Sequence, residues 1–319
     1  MDTRLTRPAP PDIGATGVGH AHAKAILLGE HAVLYGAAAI AVPLPRLTAT
    51  ALATRTVGAH GITFSGVASE ADGGLRRMAA AFAERTRWTA DGVDVRVDCA
   101  IPSRRGLGSS AACARAAVLA LAGLSRHHLD DRAVFDLVQE SENVAHGRAS
   151  GVDALATGSP APILFRGGTA TRARIGFDAV VVVADSGAAG RTREAVDLVR
   201  RGFDRVPGAR ERFVGDVVAL TDAAVDDLAR GDAVAFGERL TACHSLLKGL
   251  GLSTDLMDAL VDAAITAGAA GGKLSGGGLG GCVVALAHPG TAGAVARAMT
   301  AAGAARTWAV PLGRSTDER

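Results

Sequence analysis

The chain has 319 residues, of which 48% are hydrophobic and 21% charged, and its formal net charge is +2. This length predicts two domains with well-buried cores. The nearly balanced charge excludes the basic footprint of a nucleic-acid-binding protein. The sequence contains no apolar run of about 18 residues, so it predicts no membrane span. The polar, proline-containing residues 1–16 predict a disordered lead and not a signal peptide.

The cysteines and lysines are both informative. The four cysteines, at positions 99, 113, 243 and 282, form no CxxC pair. This pattern argues against a zinc site or a disulfide framework and favours a reducing, cytoplasmic location. Of the 34 basic residues, only Lys24, Lys248 and Lys273 are lysines. In a chain that favours arginine so strongly, a lysine is a candidate for a position that needs a compact charge, with chance retention as the alternative.

Hydrophobic periodicity predicts a mixture of strands and helices. Residues 23–28 are apolar and β-prone, the pattern breaks at Gly29–His31, and further strand-like segments follow over 38–57. Helical spacing predicts helices over 75–88, 111–124, 131–146, 191–201, 209–230, 233–249, 254–267 and 290–303. Alternating or continuous apolar runs predict strands over 93–99, 179–184, 282–287 and 306–311, with a glycine-rich segment over 271–281. The expected fold class is α/β (α+β).

The segment Ile101–Ser110, which we call the phosphate loop, follows a predicted strand and opens a predicted helix. Gly106 and Gly108 permit positive φ angles and a close approach of the backbone to a ligand. The first N–H groups of the helix and its dipole create an anion site. The hydroxyls of Ser109 and Ser110 can cap the helix, contact phosphate or bind Mg²⁺. The alternative is an ordinary capped turn between a strand and a helix.

A dinucleotide site is a sharper alternative for this loop, because Gly106, Gly108 and Ala111 match GxGxxA. That fold needs a parallel strand soon after the helix. The sequence instead predicts a second helix over 131–146, which disfavours an NAD-dependent oxidoreductase. No GxxxxGK[ST] motif is present, so a P-loop NTPase is excluded.

Three motifs in order give the chain a resemblance to the GHMP kinases. They are KAILLGEHAVLYG at Lys24–Gly36, PSRRGLGSSA at Pro102–Ala111 and KLSGGGLGG at Lys273–Gly281. Each is weak alone, but three in order are specific, and the resemblance covers the chain after residue 16. It implies a two-domain GHMP kinase fold: an N-terminal, ribosomal-protein-S5-like ATP-binding domain over 17–176 and a C-terminal, ferredoxin-like α+β domain over 177–319.

Two further segments, Ala145–Asp153 and Ala184–Ala195, resemble the bacterial-type branch of the family that acts on mevalonate. The resemblance implies ATP-dependent phosphorylation of the primary hydroxyl of (R)-mevalonate to 5-phosphomevalonate, with ATP as co-substrate and Mg²⁺ as cofactor. A cytoplasmic enzyme and a homodimer are expected. Two alternatives stay open: another GHMP kinase, acting on phosphomevalonate, a sugar or homoserine, and a non-catalytic sensor of a nucleotide or metabolite.

The resemblance also implies roles for individual residues. It makes Asp153 the catalytic base and Lys24 the cation beside it; taken alone, Asp153 would be a helix N-cap and Lys24 a surface lysine. It places Mg²⁺ on Glu142 and Ser110, with Glu140 as the competing carboxylate.

The remaining expected contacts surround the two substrates. The expected ATP contacts are Arg105, Gly106, Leu107, Gly108, Ser109 and Ser110. The expected acceptor contacts are Glu30, His31, Ser186, Thr192 and Gly277. Arg191 or Arg193 could bind a substrate carboxylate, with solvent exposure as the alternative. Ala154 stands where the family often has asparagine, and Cys113 where animal members have an aromatic residue, so the adenine contacts stay unassigned.

Overall fold

The structure, a computed structural model, describes residues 15–56, 60–67, 69–89, 92–147 and 149–314. Residues 1–14 of the predicted lead lie outside this part of the chain, and the first strand begins at Thr16. The elements follow in the order β1 (Thr16–Leu28), β2 (Ala39–Arg55), β3 (Ile62–Ser65), α1 (Ser69–Thr86), β4 (Val93–Cys99), α2 (Ser109–Ser125), α3 (Asp131–His146), α4 (Val152–Ala156), β5 (Ile163–Arg166), β6 (Thr169–Arg172), β7 (Ala179–Asp185), α5 (Thr192–Arg205), α6 (Ala209–Arg230), α7 (Ala233–Gly249), α8 (Asp255–Thr266), β8 (Ala269–Ser275), β9 (Cys282–Ala287), α9 (Ala292–Ala301) and β10 (Arg306–Leu312).

The first sheet is organised around the long strand β2. Along its length β2 pairs antiparallel with β1, while its start pairs with β5 and its end with β4. The strand order is β3-β4-β2-β5-β6, and β3 runs parallel to β4. Strand β1 is therefore held against β2 from Thr16 to Leu28, which fixes the position of Lys24 near its end.

Helix α2 packs against β1 and β2 at unusually short range. Its sequence, SSAACARAAVLALAGLS, is rich in alanine, and most of its residues are buried. The facing strand carries Gly17 and Gly19. A Cβ atom at Gly19 would lie 2.0 Å from the carbonyl oxygen of Ala116, so only glycine permits this approach. Small residues on both elements thus bring the helix that follows the phosphate loop directly onto β1.

The second sheet, of order β10-β7-β9-β8, is antiparallel throughout. Its central strands β7 (AVVVVAD) and β9 (CVVALA) are almost wholly buried. Each valine or leucine removed from water there contributes roughly 1.5–3 kcal/mol before the entropy cost of folding. Helices α7, α8 and α9 pack against this sheet. The fold class is the predicted α+β mixture.

Several predicted elements have the observed bounds, among them α3, α6, α7 and β9. The prediction missed β3, β5 and β6, and it missed β8, which overlaps the glycine-rich segment 271–281. A Cβ atom at Gly271 would lie 1.8 Å from the carbonyl oxygen of Gly237 on α7, so glycine serves the packing of a strand there. Among the described helices, none combines the length and the apolar character needed to cross a membrane.

The close packing of β1 on α2 predicts that Gly19→Ala destabilises the protein. The new methyl group would also lie 2.7 Å from the Ala120 amide nitrogen, and backbone atoms of a buried helix cannot move aside cheaply. We expect a loss of about 1–3 kcal/mol or more in the free energy of unfolding, measured by denaturant titration.

Gly215→Ala is the matched control. Gly215 is exposed on α6 with nothing within 4 Å of the added methyl group, so the substitution should stabilise the protein by roughly 0.5–1 kcal/mol. Equal stabilities of the two variants would contradict the packing argument.

Candidate active site

The centre of the site is a contact between Lys24 and Asp153. The Lys24 ammonium is 2% exposed, and its Nζ lies 3.0 Å from Asp153 Oδ1. It also donates a hydrogen bond of 2.9 Å to the carbonyl oxygen of Gly106 in the phosphate loop. One buried cation therefore joins a carboxylate to the loop that precedes α2.

Asp153 lies in the first turn of α4, and Gly151 occupies the N-cap position. The alternative prediction, in which Asp153 is itself the N-cap, is therefore wrong. The Asp153 side chain remains 30% exposed, whereas Lys24 is buried beneath it. A carboxylate that is partly open to solvent and fixed by a cation is suited to accept a proton from a bound alcohol.

The phosphate loop presents the start of α2. Gly108 is the N-cap with a φ of 73°, and no side chain caps the helix there. The backbone N–H groups at the start of a 17-residue helix, with its positive dipole end, make this a strong place for phosphate. A Cβ atom at Gly108 would lie 3.1 Å from Lys24 Cγ, so glycine lets the loop pass over the buried lysine. Helix α2 is followed directly by helix α3, as predicted. The described residues between α2 and α3 contain no strand of the kind that a dinucleotide fold requires.

The Arg105 side chain contacts the end of β7 and the residues that follow it. Its Nε lies 2.8 Å from Asp185 Oδ1, and its Nη2 donates to the carbonyl oxygen of Gly187 at 2.9 Å. Asp185 ends β7, so this arginine attaches the phosphate loop to the second sheet. The expected contact of Arg105 with ATP stays a prediction.

The two candidate metal carboxylates on α3 differ in their surroundings. Glu142 is 2% exposed, whereas Glu140 lies at the surface, 2.8 Å from the guanidinium of Arg77. The pKa of the Cys113 thiol on α2 is raised, chiefly by its hydrogen bond with Cys99 and by burial, and also by the negative charge of Glu142. The buried Glu142 is therefore close enough to α2 for its charge to act on Cys113, whereas Glu140 pairs with Arg77 at the surface.

The break Gly29–His31 forms a tight turn after β1. Gly29 and His31 both have positive φ angles, 102° and 59°. The Glu30 carboxylate forms an ion pair with Lys273 on β8, and both side chains are almost completely buried. Sequence reasoning missed this pair, although the rarity of lysine had marked Lys273. The predicted role of Glu30 in acceptor binding stays a prediction.

His31 reaches the opposite loop. Its Nε2 donates to the carbonyl oxygen of Gly277 at 2.9 Å. Burial lowers the pKa of His31, and the hydrogen bond to Gly277 only partly opposes this effect. The imidazole is therefore a neutral hydrogen-bond donor at neutral pH.

The segment Gly276–Gly281, which we call the glycine loop, joins the other predicted contacts. A Cβ atom at Gly277 would lie 2.9 Å from Thr192 Oγ1, and one at Gly276 would lie 3.0 Å from the Cα of Gly106. The Ser186 amide donates to the carbonyl oxygen of Gly281 at 2.9 Å. The predicted acceptor residues Ser186, Thr192, Gly277 and His31 thus lie around one loop, which also touches the phosphate loop.

The candidate arginines have other contacts. Arg191 pairs with Glu194 one turn along α5, with both side chains exposed. Arg193 donates to the carbonyl oxygen of Ala145 at 3.1 Å. Neither contact identifies a carboxylate-binding arginine.

Sequence reasoning also missed Ser275, which is 1% exposed at the end of β8. Its hydroxyl accepts a hydrogen bond from Ile26 N and donates to Ile26 O, both at 3.0 Å. The pair binds β1 of the first sheet to β8 of the second, two residues from Lys24. The sequence signal that could have identified Ser275 is its position in the third motif, between Lys273 and the glycine loop.

Two family models match the chain. The model described as "GHMP kinases N terminal domain" matches residues 75–159, and "GHMP kinases C terminal" matches residues 224–305. The first match holds the phosphate loop and Asp153, and the second holds the glycine loop. The chain belongs to the GHMP kinase family.

The relatives narrow the comparison within that family. Mevalonate kinase of Thermococcus onnurineus is 32% identical over 310 residues, covering 89% of this chain and 92% of the relative. Mevalonate kinase of Pyrococcus horikoshii is 33% identical over 309 residues with the same coverage. The crystal structure of mevalonate kinase from Staphylococcus aureus MRSA252 matches with a TM-score of 0.71 and 30% identity over 94% of this chain and 99% of that one.

A structure of L. major mevalonate kinase in complex with R-mevalonate superposes with a TM-score of 0.82. It covers 97% of this chain and 99% of that chain at 23% identity, which supports the fold alone. The two-domain GHMP kinase fold predicted from the motifs is confirmed.

The histidine behind β8 predicts a pH-dependent stability. His244 Nδ1 accepts a hydrogen bond from Leu274 N at 3.3 Å, and its Nε2 donates to Asp258 Oδ1 at 3.1 Å. Burial is the main cause that lowers the pKa of His244 below 6.5, and Lys273 adds to it, while Asp258 opposes it. The unfolded chain therefore binds this proton more readily than the folded chain, so stability is lost as the pH falls below about 6.5.

We expect the melting temperature to fall between about pH 7 and pH 5, and to fall less steeply in His244→Asn. His31, whose pKa is lowered in the same way, accounts for part of the remaining slope. His60→Asn, at an exposed position, is the control and should keep the wild-type slope. An unchanged slope in His244→Asn would contradict this assignment.

Proposed function

We propose that this protein is a mevalonate kinase that transfers the γ-phosphoryl group of ATP to the primary hydroxyl of (R)-mevalonate, giving 5-phosphomevalonate and ADP. The relatives of more than 30% identity support this substrate. The observation that carries the proposal is the 3.0 Å contact of Lys24 with a partly exposed Asp153 beside the start of α2. It combines a base, a cation and a phosphate site in one place.

Asp153 takes the proton of the acceptor hydroxyl as the oxygen attacks the γ-phosphorus. Lys24 orients the carboxylate before the reaction, and its charge stabilises the negative charge that develops during transfer. The N–H groups at the start of α2 hold the phosphates of ATP in place. Much of phosphoryl transfer is positioning and electrostatic stabilisation, which these groups supply together.

Mg²⁺ is the cofactor we propose for this site, and the donor set fits it. The buried Glu142 carboxylate and the Ser110 hydroxyl are both hard oxygen donors. Within the described residues, no group of three or more His, Cys, Asp or Glu side chains is arranged to hold a metal. Mg²⁺ takes few protein ligands and completes its shell with water and phosphate oxygens. When bound, Mg²⁺ would neutralise phosphate charge.

The acceptor is proposed to lie between the turn Gly29–His31, the glycine loop and the start of α5. The Nε2–H of His31 is committed to the Gly277 carbonyl, so the neutral imidazole offers Nδ1 as an acceptor, while Ser186 and Thr192 offer hydroxyls. The Glu30 carboxylate is 1% exposed and paired, so it acts on the acceptor through the shape of the turn.

Three general features remain proposals of the same kind. We propose a cytoplasmic enzyme, a homodimer, and a domain boundary between residues 176 and 177. That boundary falls in the connection between β6 and β7, which joins the two sheets.

The test of the proposed function is an ADP-release assay on the purified protein with mevalonate, phosphomevalonate, galactose and homoserine. Activity with mevalonate is expected. If the protein phosphorylates only an acceptor other than mevalonate, the proposed substrate is wrong and the assignment to the GHMP kinase family still holds. Nucleotide binding without turnover of any acceptor would favour the sensor.

Asp153→Asn should lower kcat by roughly 10²–10⁴ because it removes the base and keeps the size of the side chain. ATP binding, measured by calorimetry, should persist because the start of α2 is unaltered. Asp216→Asn, at an exposed position on α6, is the matched control and should retain wild-type kcat. Wild-type turnover by Asp153→Asn would reject Asp153 as the base.

Glu142→Gln should raise the Mg²⁺ concentration that gives half-maximal activity. Loss of an outer partner of a metal already costs about 10–100-fold in affinity or activity, so a direct ligand should cost at least about tenfold. Glu140→Gln on the same helix should leave the Mg²⁺ dependence unchanged, because Glu140 pairs with Arg77 at the surface. The opposite outcome would assign the metal to Glu140.

A further inference from the structure

Lys273 and Glu30 form a pair of charges with almost no access to water. Their side chains are 0% and 1% exposed, and the Lys273 ammonium also donates to the carbonyl oxygen of Leu274. A buried ion pair seldom stabilises a fold more than a well-packed apolar pair of the same volume. Stability alone therefore does not explain why two charges lie here.

The position of the pair explains more. Glu30 belongs to the turn that follows β1, whereas Lys273 lies on β8, 243 residues further along the chain. Residues next to the ion pair form hydrogen bonds between the same two segments. Ser275 bonds with Ile26, and His31 bonds with Gly277. The ion pair is the charged link among three that connect the end of β1 to the end of β8.

These links end at the acceptor side of the site. Lys24 lies on β1, six residues before Glu30, and the glycine loop begins three residues after Lys273. The phosphate loop touches the glycine loop, but the start of α2 is also held by contacts of its own, including the bond from Lys24 N to the carbonyl oxygen of Leu107. A change at the ion pair should therefore disturb acceptor binding more than ATP binding.

We propose that Lys273 is a positioning residue, whose ion pair with Glu30 holds the turn Gly29–His31 against the glycine loop in the geometry that binds the acceptor. The proposal rests on the proposed function. The Lys273 ammonium touches neither substrate. It acts through Glu30 and the turn, which presents His31 to Gly277.

The decisive variant is the double substitution Lys273→Met with Glu30→Gln, which removes both charges and leaves no unpaired buried ion. We expect kcat to fall at least tenfold and KM for mevalonate to rise at least fivefold, while KM for ATP stays within threefold of wild type. If the ion pair served stability alone, KM for mevalonate would not rise more than KM for ATP. The proposal is overturned if kcat and both KM values stay within twofold of wild type.

Leu286→Ala is the matched control for lost stability. Leu286 is 1% exposed on β9 of the same sheet and has no part in the three links. It should lower the melting temperature and leave both KM values near wild type at a temperature where it is folded. If Leu286→Ala raised KM for mevalonate over KM for ATP to the same extent, the proposal would be rejected.

If the double variant does not fold, Lys273→Arg is judged by the same thresholds. This substitution keeps the charge and changes the shape of the group.

A second measurement, the chemical modification of His31, tests the positioning role of Lys273 without relying on the identity of the substrate. Diethyl pyrocarbonate modifies accessible neutral histidines, and mass spectrometry can follow the modification of His31 without any acceptor. The rate at His31 should rise at least fivefold in the double variant and not in Leu286→Ala. Inactivity of the wild type with mevalonate would reject the proposed substrate only. An unchanged His31 rate would reject the positioning role.

Discussion

The burial of the Lys24 ammonium is the constraint on which the site depends. A charge that is 2% exposed must be paired and hydrogen-bonded, because an isolated buried ion is very costly. Its partners come from two separate parts of the chain, Asp153 on α4 and the Gly106 carbonyl of the phosphate loop. Satisfying this one cation brings the strand, the loop and the short helix into a single arrangement.

Such an arrangement needs backbones that approach one another closely, and glycine permits this. Gly19 lets β1 lie against α2, and Gly271 lets β8 lie against α7. Gly106 and Gly276 let the two loops of the site meet, since a Cβ atom on either would lie within about 3 Å of the other loop or of Ser275. At these positions glycine therefore serves the close approach of two backbones.

Burial also assigns different tasks to carboxylates that look alike along the chain. Asp153 is open enough to meet an acceptor, while Glu30 is enclosed and committed to Lys273. Glu142 is enclosed next to α2, and Glu140 is at the surface with Arg77. Asp185 anchors Arg105 and so holds the phosphate loop to the second sheet. Access to water and the nearest cation therefore distinguish carboxylates that look alike in the sequence.

Local patterns in the sequence were sufficient for much of the secondary structure and for the family. Helix α3 has its predicted bounds because Asp130 caps its start and Gly147 follows its end, and both signals are local. The three motifs identified the GHMP kinase fold, and the resemblance extended by the segment Ala145–Asp153 placed Lys24 beside Asp153 before any contact was known. Strand β8 was missed because its glycines are explained by α7, which is distant in sequence.

The pairing of Lys273 with Glu30 was decided by the tertiary structure alone. The scarcity of lysine marked Lys24, Lys248 and Lys273 equally, yet two are buried partners of carboxylates and Lys248 is an exposed surface cation. The motifs separate Lys24 and Lys273 from Lys248, but they do not show which carboxylate each contacts, because the energy of a charge depends on the water it loses and on the partner it gains. Both are known only when distant parts of the chain have packed together.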